Sequence, residues 1–188
     1  MSTDASVLIE EAVAWLQERY KDLCFYTERD IVWTVQNHLV DQISMTRIPY
    51  RVYNDYPMLP GQRADIVMVK DGMVDVAVEF KYEPSHARSG VDILPSKFPV
   101  VFWDRDGVGK DVERVREFVS QGKTRVGYSI FIDEGGYFRH RPPHPGSHWL
   151  DWAVPSGSTD YVSISLVESH VNGRHLRYDM TPRSVIMP

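Results

Sequence analysis

The chain has one cysteine in 188 residues, Cys24, so it can form no intramolecular disulfide and no thiol-based zinc knuckle. A reducing, cytoplasmic setting is therefore expected. No apolar run approaches the roughly 20 residues of a membrane-spanning helix, and Met1 to Ser6 lacks the basic-then-apolar order of a signal peptide. Neither membrane insertion nor export is expected. Internal repeats, heptads and low-complexity tracts are missing too, which sets aside solenoids and coiled coils. Nor is there a basic excess: 21 Lys and Arg against 26 Asp and Glu give a net charge of −5, which weighs against a broad polyanion-binding face. Asp104 to Lys110 holds two glycines before a lysine but lacks the spacing and the Ser/Thr of a P-loop. There is no Gly-x-Ser-x-Gly elbow, and Cys24 has no histidine beside it in sequence, so covalent catalysis is not indicated.

What is present is an ordinary globular composition, 43% hydrophobic and 25% charged, long enough for one domain, 1–188, to bury a core unaided. Leu8, Ala12, Trp15, Leu16 and Tyr20 recur at helical spacing and predict a helix over 6–21. A second helix follows Thr27, a capping hydroxyl answered three residues on by Asp30, with Ile31, Val35, Leu39 and Ile43 as its buried stripe. Three strand-like stretches come next, Arg47 to Tyr56, Ala64 to Lys70 and Val74 to Tyr82, the last two joined by the hairpin signal Asp71-Gly72. Glu83 to Lys110 reads as a long irregular connection. Asp111 to Gln121 reads as a helix with Val112, Val115, Phe118 and Val119 on one face, and Arg125 to Asp133 as a buried strand. Glu134 to Trp152, rich in Gly, Pro and His, reads as loop. A final hairpin is expected from Tyr161 to Val167 and Arg174 to Asp179 about Asn172-Gly173.

The third strand carries the chemistry. Alternation sets Val74, Val76, Val78, Phe80 and Tyr82 on one face, and Asp75, Ala77, Glu79 and Lys81 on the other. A carboxylate and an ammonium in so apolar a run cost several kcal/mol of desolvation unless each finds a partner or a task. Asp75, at the strand's start, reads as solvated. The Asp71-Gly72 hairpin brings Asp65 back beside Glu79. Two carboxylates this close raise each other's pKa unless a divalent cation lies between them, and a hard ion such as Mg²⁺ or Mn²⁺ suits oxygen ligands. Lys81, roughly 6 to 7 Å further along the same face, can orient a water or meet an anionic transition state.

Asp65 followed after a short hairpin by Glu79-Phe80-Lys81 resembles the PD-(D/E)xK motif of restriction-endonuclease-like nucleases, and the order helix, three strands, helix, strand is similar to their core. The resemblance spans 27–133, with Ala64 standing where the motif has proline, and the whole chain is similar to small stand-alone bacterial members of that superfamily. It implies an α/β fold with an αβββαβ core and a mixed central sheet flanked by helices, to which an N-terminal helix (6–21) and a C-terminal loop and hairpin (134–188) are added. It further implies a Mg²⁺- or Mn²⁺-dependent endonuclease that hydrolyses phosphodiester bonds of DNA, or of RNA, by activated-water attack. By resemblance the metal ligands are Asp65, Glu79 and the carbonyl of Phe80. Lys81 aligns the water, and Glu28, on the inward stripe of the first core helix, adds a further acid. Glu28 is equally well explained as an acid favoured in a helix's first turn. A homodimer is implied by resemblance alone. The alternative is an inactive nuclease-like scaffold that binds protein or nucleic acid.

His140, His144 and His148 recur every fourth residue, but Pro142, Pro143 and Pro145 forbid the helix that would align them, and a polar surface loop is expected rather than a zinc site. Tyr137, Phe138, Arg139 and Arg141 suit base stacking or phosphate contact, and equally surface packing. Arg114 and Arg116 are expected to be exposed. The acidity is uneven: residues 1–30 hold seven acids and three bases, leaving 18 bases against 19 acids in the remainder. The remainder is thus nearly neutral and compatible with a phosphate-bearing substrate at the sheet.

Overall fold

The computed structural model describes residues 4–23, 25–85, 101–104, 106–153 and 159–168. Helix α1 (Ala5–Arg19) begins at Asp4, whose carboxylate accepts the Ser6 N–H at 3.1 Å, and ends in a 3-10 turn over Tyr20–Asp22. It buries Leu8, Ile9, Ala12, Val13 and Leu16. Trp15 is only partly buried and stacks on His38 at 3.9 Å. Helix α2 (Glu28–Thr46) carries the capping box read from the sequence: the Asp30 carboxylate accepts the Thr27 N–H at 2.8 Å. This cap fixes where α2 starts, and therefore where Glu28 stands.

Strands β1 (Arg51–Leu59), β2 (Gln62–Lys70) and β3 (Met73–Glu83) form an antiparallel meander. Asp71 and Gly72 both have positive φ, 52° and 77°, which matches the twist a two-residue hairpin needs. Helix α3 (Val108–Ser120) then carries the chain to β4 (Val126–Asp133), which pairs parallel to β3. Strand β6 (Thr159–Glu168) pairs antiparallel with β4, and β5 (Ser147–Ala153) forms the far edge. The six-stranded order is β1-β2-β3-β4-β6-β5. The chain is thus a mixed α/β protein built on a mixed sheet. No described helix is long and apolar enough to cross a membrane.

The sheet's two faces have different covers. Helices α1 and α2 close one face, packing Ile31, Val35 and Leu39 over Ile66, Met68, Val76, Val78, Phe80 and Ile130. Helix α3 lies on the other, with Phe118 against Val67 and Ala77. It approaches closely because β4 has a glycine beneath it: a Cβ on Gly127 would lie 3.1 Å from Val115 Cβ and 3.2 Å from the Val115 carbonyl. Every residue of β4 is buried, as expected of a strand covered on both sides.

The structure corrects several expectations. Helix α3 starts at Val108 rather than Asp111, which moves Asp111 inside the first turn. The pairing shifts between Met68–Val76 and Val69–Val74, leaving Asp75 as an extra residue in β3. This bulge reverses the alternation, so Val74 packs on the α3 side while Val76 packs under α1 and α2. Asp75 is only partly exposed and is paired. It accepts from the Tyr50 hydroxyl at 2.7 Å and pairs with Arg125 at 2.6 Å. The expected loop 134–152 contains most of β5, which pairs antiparallel with β6, the next strand in the chain, with Ala153 opposite Thr159. The first arm of the expected C-terminal hairpin lies in β6, whose edges are taken by β4 and β5; the second arm and its turn lie outside the described residues.

Candidate active site

Four backbone segments, β2, β3, α2 and α3, meet near the end of β3. The β2–β3 register places Ile66 opposite Val78, so the next step brings Asp65 beside Glu79. Asp65 is fixed there by the Phe80 amide, which donates to its carboxylate at 2.7 Å. Phe80 itself points its ring into the helical core, so what reaches Asp65 is its N–H. Glu79 is 2% exposed. Two residues on, Lys81 extends its ammonium to Glu28, the first residue of α2, at 2.9 Å. All four side chains singled out from the sequence thus lie in one cluster.

Two members were not foreseen. Asp111 sits 3.2 Å from the Lys81 ammonium, and Arg114, one turn further along α3, donates to Glu79 at 2.8 Å and lies 3.4 Å from Asp111. Arg114 is therefore mostly buried in the cluster, not exposed. The sequence did hold a signal for Asp111. It precedes Val115 by four residues and Phe118 by seven, which puts a carboxylate on the helix's buried stripe.

The electrostatics follow from burial. Burial pushes Asp65 up to about 7, against the Phe80 hydrogen bond, with the negative charges of Glu28 and Asp111 adding to the rise. Glu79 is raised well above the usual carboxylate range by burial and then by Asp65, although Arg114 opposes this. Burial likewise raises Glu28 and Asp111 despite Lys81. For Lys81, burial works toward a lower value, but Asp111 and Glu28 outweigh it and hold the ammonium at about 12. Lys81 thus remains a cation at any neutral pH and takes no proton from water.

Glu79 offers one oxygen to Arg114; the other, Oε1, is buried and has no hydrogen-bond partner among the described residues. A buried carboxylate oxygen without a donor is costly, and either a proton or a bound cation removes the cost. Four acids, Glu28, Asp65, Glu79 and Asp111, face two bases, Lys81 and Arg114, so the ionised cluster is two positive charges short. The donor set, all oxygen, suits Mg²⁺ or Mn²⁺. Among the described residues no three His, Cys, Asp or Glu side chains are gathered at metal-ligand spacing. Lys81 stands between Glu28 and Asp111, and Arg114 engages Glu79. The cluster opens through a groove of about 320 Å³ lined by Tyr26, Glu28, Arg29 and Lys81, while Arg114 and Lys110 line a hollow beyond α3's outer side.

The histidine segment plays no part in this cluster. His144 is not a polar surface residue: it stacks on Trp103 at 4.6 Å, and its Nε2 lies 2.9 Å from the Trp103 carbonyl. Phe138 and Trp149 stack on the same indole, so these aromatics pack against the start of α3 and support it. His140 and His148 are exposed. Arg116 is half-buried and donates to the Pro145 carbonyl, tying this segment to α3. Compared with known proteins, the chain matches no protein-family model, no curated protein and no solved structure.

Proposed function

We propose that the chain is a metal-dependent nuclease of the restriction-endonuclease-like type, hydrolysing phosphodiester bonds of DNA, or of RNA, by water attack. The observation that carries this reading is the buried Asp65–Glu79 pair with the unpartnered Glu79 Oε1, in a cluster two positive charges short. Asp65, Glu79 and the Phe80 carbonyl would hold the ion, Mg²⁺ or Mn²⁺, with Glu28 as a further acid. When bound, such an ion supplies Lewis-acid stabilisation of phosphoryl oxygens and a more acidic water. Lys81, a permanent cation, orients the attacking water and stabilises the negative charge that develops on the phosphate. Glu28, partly exposed at the groove and raised in pKa, is placed to accept the water's proton at its carboxylate. Arg114 holds Glu79 in position through its second oxygen.

The test is cleavage of single-stranded, duplex and branched substrates with Mg²⁺ or Mn²⁺. Glu79→Ala and Lys81→Ala should each lower the rate by at least 100-fold while far-UV circular dichroism stays unchanged. Cleavage that survives both substitutions, or that never appears with either metal, contradicts the reading. A second reading, an inactive nuclease-like binding scaffold, is favoured by one observation: Lys81 and Arg114 already pair with three of the four acids. Calorimetric titration with Mn²⁺ separates the two, since a scaffold has no saturable site for Asp65→Asn to remove.

A further inference from the structure

The face that carries Asp65 and Glu79 continues outward to the edge strand β1, where α3 no longer covers it. Tyr53 pairs with Val67 and Arg51 with Val69, and Val67 packs under Phe118 beside Ala77, so Tyr53 and Arg51 belong to the acid pair's face. Between the tyrosines the backbone at Asp55 is left-handed, φ +47°, an uncommon conformation for a residue other than glycine. The kink, tied by Arg63 at 2.6 Å to the Asp55 carboxylate, puts Tyr56 three residues later on Tyr53's side. The two rings lie 5.7 Å apart and tilted by 39°, in ordinary aromatic contact with each other. With Arg51 and Val69 they line a groove of about 640 Å³. Tyr53 is 39% exposed, and Arg51 makes no ion pair or side-chain hydrogen bond among the described residues.

We propose that this groove is a stacking subsite for one unpaired base of a single-stranded nucleic acid, with Arg51 at the adjoining phosphate. The proposal names the substrate form of the site above and rests on that reading. Aromatic faces beside a free guanidinium are what single-stranded nucleic acid requires, because every base offers a π-face, whereas an intact duplex keeps its faces stacked on one another. Charge agrees: residues 47–72 carry four bases and three acids, in a chain of net charge −5. Asp71 at the groove's far end disfavours a second phosphate, which limits the subsite to a single nucleotide. Tyr53 stands two residues along and one strand across from Asp65, on the order of 8 Å by strand geometry. A nucleotide bound there adjoins the one at the acid pair.

The experiment is fluorescence anisotropy of a labelled 12-nucleotide oligothymidylate and of a matched duplex, with EDTA present so that no cleavage intervenes. The Tyr53→Ala/Tyr56→Ala pair should weaken single-strand binding by at least tenfold, within the range of losing one stacked base. The Tyr53→Phe/Tyr56→Phe pair should bind within twofold of the unchanged chain, and duplex affinity should not move. Arg51→Ala, at an exposed position, should weaken single-strand binding about threefold or more and reports even if the alanine pair unfolds. Cleavage with Mg²⁺ or Mn²⁺ is assayed separately on the unchanged chain, so loss of the nuclease reading and loss of this subsite give different results. The proposal is overturned if the unchanged chain binds no oligothymidylate, if the alanine and Arg51 variants bind within twofold of it, or if duplex binding falls equally. It is also overturned if the tyrosines control only a monomer–dimer equilibrium in sedimentation, with oligonucleotide affinity unchanged.

Discussion

Asp65 and Glu79 are the residues on which the account turns, because their burial has consequences that can be measured without a substrate. Asp65 has a folded-state pKa of about 7 against an ordinary value of 3.8, so between those limits the folded chain binds more protons than the unfolded one. Its contribution to stability is full below pH 3.8 and is lost as pH rises through 7. Chemical denaturation between pH 5 and 8 should therefore show stability falling with pH, by an amount on the order of a few kcal/mol. Asp65→Asn should make that dependence shallower, the remainder coming from Glu79, Glu28 and Asp111; an unchanged slope would contradict the assignment. Since a carboxylate must be ionised to hold metal and both Asp65 and Glu79 are raised, Mn²⁺ affinity measured by calorimetry should rise with pH through about 7. Arg114→Met strands the Glu79 carboxylate and should cost about 3 kcal/mol without metal. Millimolar Mn²⁺ should restore most of the lost melting temperature in differential scanning fluorimetry, whereas a purely structural arginine would leave the loss uncorrected. Asp65, Glu79, Lys81 and Glu28 were legible because each violates the pattern of its own element or stands at a capped helix start. Arg114 was not, since an arginine on a helix reads as solvent-facing until the sheet beneath it is known to be acidic.

At the scale of elements, helix α3 brings half of the cluster. Its position depends on the glycine under it in β4 and on its tightly folded start, where a Cβ at Gly107 would fall 1.8 Å from the Phe102 carbonyl. Gly127→Ala should therefore push α3 off the sheet by a few tenths of an ångström, at a cost of about 1–3 kcal/mol in thermal or chemical denaturation. Because Asp111 and Arg114 ride on α3, cleavage should fall further than stability alone explains; unchanged activity would mean that α3's placement is not critical. Strand reading from alternation succeeded from Val76 to Tyr82 and failed one residue earlier. The bulge at Asp75 is set by Tyr50 and Arg125, groups 25 and 50 residues away. Strand β5 was missed for a different reason. The Pro, Gly and His before it made 134–152 read as loop, although the five residues 154–158 between it and its partner β6, with Pro155 and Gly157, are a local hairpin signal.

For the whole molecule, the two-sided cover of the sheet separates tasks. Helices α1 and α2 bury the large core on one side, and residues 1–30, which end in the first turn of α2, carry most of the chain's net negative charge. The other side, under α3 and out to β1, holds the acid cluster and the basic hairpin. With so few free cations near the cluster among the described residues, the logarithm of nucleic-acid affinity should fall with the logarithm of salt with a slope of only about −1 to −2, as for one or two phosphate contacts. A slope several times steeper in anisotropy titrations would require a broad basic face that the described residues do not form. The central claim is that Asp65 and Glu79 share a divalent cation. Anomalous diffraction from a crystal soaked in Mn²⁺ tests it most directly. The account predicts a peak bounded by Asp65, Glu79 and the Phe80 carbonyl, lost in Asp65→Asn crystals. An empty position there at millimolar Mn²⁺, with Lys81 and Arg114 still closed over the acids, would contradict it.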